Sequence, residues 1–144
     1  MAKRLLRTRK KYLPLLLLPL GLGLSGFLLL KRKKSSTKAN SFDVLNSSRY
    51  QILKPFIIAQ SKVESANYTS NLFTRSNNAF GMKNAFTRAQ LGYSSPGTDY
   101  RYYDSLSESI QDLILWMDYT NFPLVNDVNS YVRALKERNY FESN

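Results

Sequence analysis

The chain is expected to be mainly α, with a small β-hairpin lobe, preceded by one transmembrane helix. Three observations predict this. An uncharged run of 18 residues lies between two basic blocks, apolar residues recur at helical spacing in three later stretches, and one pair of extended segments brackets a Gly/Pro-bearing turn. With 144 residues there is room for one small domain and an appendage. The expected division is an anchor and linker over residues 1–38 and a folded domain over residues 39–144.

The uncharged run is Leu13 to Leu30. At about 1.5 Å per residue it reaches roughly 27 Å, close to the hydrocarbon thickness of a bilayer. Lys3, Arg4, Arg7, Arg9, Lys10 and Lys11 precede it, and Lys31, Arg32, Lys33 and Lys34 follow. Tyr12 takes the interfacial position. Pro14, Pro19, Gly21, Gly23 and Gly26 disrupt a helix in water but are tolerated in a span. A cleaved signal peptide is the competing reading. Its apolar core is usually about 7–15 residues and ends at a small-x-small site, whereas this run is longer and ends in four basic residues. A lipid bilayer is therefore an expected partner through residues 13–30. The near balance of basic residues on the two sides fixes no orientation. Ser35 to Asn40 reads as a short polar linker.

Charge separates the chain in the same place. The first 38 residues hold 11 of the 21 Lys and Arg and none of the 10 acidic residues. The remainder is formally neutral, so the net charge of +11 belongs to the N-terminal segment. A nucleic-acid binder needs its cationic stripe on a folded surface. Here the charge flanks an apolar run, and nucleic acid is not an expected partner.

The folded part opens with a helix begun at Pro55 and continued over Phe56 to Ala66. Phe56, Ala59 and Val63 form its expected buried stripe, with Ile57, Gln60, Ser61 and Glu64 on the neighbouring face. Asn77, Asn78 and Gly81 mark a loop. Phe86 to Leu91 and Thr98 to Tyr103 read as two strands joined through Gly92 to Gly97. Ser105 and Glu108 form a capping box for a strong amphipathic helix whose stripe is Leu106, Ile110, Leu113, Ile114 and Met117, and Pro123 closes it. A last helix over about Val128 to Asn139 carries Val128, Tyr131, Val132 and Leu135.

The chain has no Cys and no His. This excludes zinc sites built on imidazole or thiolate, and nucleophiles that depend on a His base. Chemistry must rest mainly on carboxylates, Tyr, Ser or Lys. No metal and no cofactor is expected, since neither a ligand cluster nor a Gly-rich phosphate loop is present.

Glu64 is the strongest candidate. It lies at the C-terminal end of its helix, where the partial negative charge of the dipole disfavours a carboxylate. Apolar neighbours act in the same direction by desolvation. A Glu that keeps its proton near neutral pH can protonate a glycosidic oxygen. The plain alternative is a solvated Glu paired with Lys62 or Arg75.

Glu64-Ser65-Ala66-Asn67-Tyr68, preceded by Gln60, and Asn77-Asn78-Ala79-Phe80-Gly81-Met82-Lys83 resemble the motifs of the glucosaminidase family, the lysozyme-like peptidoglycan β-N-acetylglucosaminidases. The family reads Gln-x-x-x-Glu-Ser/Thr, then about a dozen residues, then Asn-Asn-Leu-Phe-Gly-Ile/Met-Lys. Tyr103-Asp104-Ser105 followed by Glu108-Ser109-Ile110 resembles a second block. The resemblance covers Phe56 to Phe141. It departs from the family at Ala66-Asn67-Tyr68, where Gly-Trp-Gly is common. It departs again at Tyr140-Phe141-Glu142-Ser143-Asn144, which replaces a Tyr-Ala-x-Asp-Pro-x-Tyr close.

The resemblance implies a lysozyme-like α+β domain and an endo-β-N-acetylglucosaminidase acting on peptidoglycan glycan strands, with Glu64 as general acid. It places Tyr103 and Tyr140 on the cleft, where either could position a water. Tyr68 is a candidate for stacking on a sugar. Asn77 and Asn78 are candidates for binding the N-acetyl group or bracing the loop. Asp99 is a candidate second carboxylate or a turn residue, and Asp104 stands in the same position beside its helix cap. The implied location is a membrane crossed once, with the catalytic domain facing the cell wall, in a host envelope or, for a viral chain, a virion membrane. Lytic transglycosylase chemistry on the same fold is the near alternative. A non-catalytic wall-binding or virion structural protein is the more distant one.

Overall fold

The computed structural model describes residues 37–141. The span expected at residues 13–30 lies outside them. Among the described residues no helix is long and apolar enough to cross a membrane.

The fold is mainly helical with a two-stranded antiparallel ribbon. It begins inside the expected linker. Helix α1 (Lys38–Ser41) runs into a 3-10 segment, Phe42–Ser47. Ser41, Phe42 and Leu45 are buried, so the domain takes hold a few residues before the helical pattern becomes readable. A second 3-10 turn, Gln51–Leu53, leads into α2 (Lys54–Glu64), with Pro55 in its first turn as expected.

The inward face of α2 differs from the expected one. Val63 is 80% exposed and Ala59 is exposed, while Ile57, Gln60 and Ser61 are buried. Two polar residues on the inner face hid it from hydrophobic periodicity. Each has a partner inside, although Gln60 Nε2 has none among the described residues. Gln60 Oε1 accepts from the Tyr131 hydroxyl at 2.6 Å, and Ser61 Oγ donates to the Ile58 carbonyl at 2.8 Å.

Helix α3 (Asn71–Ser76) is capped by Ser70, whose hydroxyl accepts from Phe73 N–H. Asn77 then turns the chain with φ of 52°. In the ribbon, β1 (Tyr93–Ser94) pairs with β2 (Arg101–Tyr102), with Tyr93 opposite Tyr102 and Ser94 opposite Arg101. The second strand falls within its expected range. The first does not, for residues 86–91 form a loop and the strand lies in the expected turn. Gly92 explains the shift. It takes φ of 70°, and a Cβ there would collide with the Tyr102 carbonyl oxygen, so this glycine permits close strand approach rather than a turn.

Helix α4 (Leu106–Tyr119) starts at Ser105, which accepts from Glu108 N–H at 3.2 Å. Glu108 reaches back to Asp104 N–H at 2.7 Å, one residue beyond the expected reciprocal contact. Leu106, Ile110, Leu113 and Met117 are buried as the stripe requires. Helix α5 (Val128–Glu137) is capped by Asp127. Its buried residues are Tyr131, Ala134 and Leu135, while Val128 and Val132 are exposed, so the inner stripe is rotated toward the small Ala134. One core joins the 3-10 segment, α2, α4 and α5 through Leu45, Ile57, Ile110, Leu113, Met117 and Leu135.

Candidate active site

Glu64 is the last residue of α2. The helix closes with Ala66 N–H donating to the Val63 carbonyl at 3.2 Å and Asn67 N–H donating to the Lys62 carbonyl at 2.6 Å. These are the paired bonds of a Schellman end. The residue after the cap is Ala66, with φ of 49°, and Asn67 and Tyr68 remain left-handed at 55° and 67°. Three successive non-glycine residues in that region are strained. Bonds around Ser65 hold them: its hydroxyl accepts from Tyr68 N–H at 2.8 Å and its carbonyl from Ser70 N–H at 3.0 Å.

This termination leaves Glu64 on the wall of a cleft of about 690 Å³, within the range of small-molecule sites. Glu64 is solvent-accessible, yet its carboxyl is partly desolvated, and that desolvation raises its pKa above the ordinary carboxylate value. Its place at the negative end of the helix dipole works in the same direction. Among the described residues lining the cleft, Glu64 is the only carboxylic acid.

Tyr140 faces the same cleft, delivered by a second Schellman end. Asn139 is left-handed at φ of 53° and donates to the Lys136 carbonyl, and Tyr140 N–H donates to the Leu135 carbonyl at 3.0 Å. The Tyr140 hydroxyl donates to the Phe80 carbonyl, and its ring meets Trp116 edge-on with centroids 5.1 Å apart. Burial of the hydroxyl and then the Glu64 charge raise the phenol's pKa well above its usual value, opposed by a contact from Gln60. Tyr140 is therefore a neutral hydroxyl held beside Glu64.

The cleft is also walled by residues 81–85, Arg88 and Tyr100. Asp112, fully buried on α4, holds this wall. It receives Arg88 through two bonds of 3.0 and 3.1 Å, Leu91 N–H at 3.0 Å and the Tyr103 hydroxyl at 2.7 Å. Lys83 adds a cation, with its ammonium 5.7 Å from the centre of the Tyr100 ring.

Of the residues singled out from sequence, Glu64 and Tyr140 come together and the others stand apart. Tyr103 is 1% exposed, points inward to Asp112 and does not line the cleft. Burial, then the Asp112 charge, raises its pKa far above the usual phenol value. Asn77 donates to the Tyr103 carbonyl at 2.9 Å. The Asn78 amide donates to the Met82 and Arg101 carbonyls, both at 2.8 Å, and its oxygen accepts from Met82 N–H at 3.0 Å. Both asparagines brace the loop that carries Phe80 to Lys83, and neither lines the cleft. Asp99 is exposed in the ribbon turn, where only its backbone carbonyl is engaged, by Asn84 N–H. Tyr68 packs on Phe73, bonds Ser61 at 2.8 Å and borders a separate hollow with Lys38.

Sequence reasoning passed over Trp116, Arg88 and Asp112. Trp116 is the single Trp and lies just off the apolar stripe of α4, a detectable signal. Asp112 occurs on that helix between Ile110 and Leu113, where a buried acid implies a cationic partner. Nothing in the spacing named Arg88 as that partner, because 24 residues separate them.

The family model for Glucosaminidase, described as mannosyl-glycoprotein endo-beta-N-acetylglucosaminidase, matches residues 44–143. No curated protein and no solved structure matches the chain.

Proposed function

Because the chain belongs to the glucosaminidase family, we propose that it cleaves peptidoglycan glycan strands after N-acetylglucosamine, with Glu64 as the general acid. The observation that carries this reading is the partly desolvated Glu64 as the lone carboxylic acid among the described residues of the cleft. A protonated Glu64 donates its proton to the glycosidic oxygen as the bond to the anomeric carbon breaks. The departing sugar leaves as a neutral alcohol, and positive charge develops at the anomeric carbon.

With one carboxylic acid among the described lining residues, the group that meets that charge is a water or the acetamido oxygen of the substrate. Tyr140 is suited to orient either. Its hydroxyl stays neutral and its carbonyl partner fixes it in place. Trp116 and Phe141 offer apolar surface to the faces of sugar rings. Residues 13–30 tether this activity to a bilayer, with the domain turned toward the wall.

One carboxylic acid among the described residues of the cleft also suits lytic transglycosylase chemistry, in which an internal hydroxyl replaces water. Mass spectrometry of digested peptidoglycan separates the two. Hydrolysis gives reducing N-acetylglucosamine ends of the mass expected for water addition. Anhydromuramic ends, with fragments lighter by one water than the hydrolysed ones, are the contrary result.

A further inference from the structure

Phe86 is 98% exposed, the most exposed of the large apolar side chains described, and it buries nothing for the fold. A lone exposed apolar residue is ordinary on a loose loop. This loop is clamped on both sides of Phe86. Ala85 N–H donates to Gln90 Oε1 at 2.9 Å, Gln90 donates to the Lys83 carbonyl at 2.6 Å, and Arg88 is locked to the buried Asp112. A rigid loop thus presents an aromatic ring to water directly beside Ala85 and two residues from Arg88, both of which line the cleft.

A second aromatic residue meets this loop. Tyr119 is 56% exposed at the end of α4, and its hydroxyl lies 3.4 Å from Thr87 Oγ1. It stands three residues after Trp116, hence on the same face of the helix. Trp116 in turn packs on Tyr140, beside Glu64 in the cleft. Aromatic side chains therefore continue from the cleft along α4 to the rim at Phe86.

We propose that Phe86 and Tyr119 form an outlying sugar-stacking subsite, which takes a ring of the glycan strand where it leaves the cleft. The inference rests on the glycosidase reading above and extends it to a preference for long strands. Continuity with the cleft identifies the occupant. Exposed rings suit the apolar faces of a neutral sugar, while the polar edges of that sugar remain in water.

The test compares kcat/KM on long, uncrosslinked peptidoglycan glycan strands with kcat/KM on short fragments of the same strands. Wild type, Phe86→Ala, Tyr119→Ala and Phe86→Trp are measured. Each Ala variant is expected to lower the ratio of long-strand to short-strand activity, by roughly three- to tenfold, and Phe86→Trp to restore it. Thermal melting guards against a folding effect and should be unchanged for Phe86→Ala, whose side chain touches no core. An unchanged ratio in both Ala variants overturns the subsite, as does an equal loss on both substrates. Failure of the wild type to cut either substrate overturns the glycosidase reading instead.

Discussion

A carboxylic acid can donate a proton near neutral pH only where its anion is disfavoured, and the surroundings of Glu64 do this in two ways. Desolvation in the cleft wall is the larger, and the end of α2 adds to it. Activity should therefore persist above the range in which an ordinary Glu loses its proton, and decline as pH rises through the raised pKa. A profile of kcat/KM against pH measures that limb in the free enzyme. A fall centred on the ordinary Glu value would count against the assignment. The same shift has a consequence for stability. The folded state favours the protonated carboxyl, so its contribution is fully present below the unfolded pKa and is lost as pH rises through the folded one. Tyr140, raised by burial and by the Glu64 charge, keeps its proton across this window. At this scale the sequence was partly legible. Glu64 could be singled out as a candidate from its position at a helix end together with the resemblance to the glucosaminidase motifs. Tyr103 and Tyr68 could not be sorted from Tyr140, since an aromatic on an inner face and one on a cleft wall look alike in one dimension.

Helix ends and buried pairs build the site at the next scale. Helices α2, α4 and α5 all finish with paired Schellman bonds, and the residues after their caps are Ala66, Asn121 and Asn139, each left-handed. Two of these ends aim Glu64 and Tyr140 at the same cleft. Asn139 was a readable signal for such an end, while Ala66 was not, because alanine rarely takes that conformation. The inner face of α2 was misjudged because Gln60 and Ser61 are buried with their partners on other elements. Elsewhere in the cleft wall, Asp112 ties α4 to the loop bearing Arg88 and to Tyr103. Asp112→Ala strands a guanidinium that is only 6% exposed. Breaking one side of such a pair costs roughly 3–5 kcal/mol, which urea unfolding should register as a large drop in midpoint. A change under about 1 kcal/mol, the scale of surface pairs, would show that Asp112 does not anchor the wall.

Across the whole molecule, charge and chemistry fall into separate regions. The net +11 resides in the first 38 residues, and the folded remainder is formally neutral. The helical class, α2, α4, α5 and the second strand were legible because Pro55, the Ser105 cap and apolar spacing act locally, whereas α1, the 3-10 segments, α3 and the first strand were not read. The cleft was also less legible. It is assembled from residues 64, 72, 80–85, 88, 100, 116 and 139–141, and contacts across such separations leave little trace in local spacing. In the proposed reaction one proton on Glu64 breaks the glycan bond. The direct measurement is the rate at which wild type and Glu64→Gln release new chain ends from purified peptidoglycan, with folding checked by circular dichroism. The substituted protein is expected to fold and to be slower by about 10²–10⁴-fold, the usual worth of a positioned acid. A folded Glu64→Gln protein that cuts as fast as wild type would contradict the account.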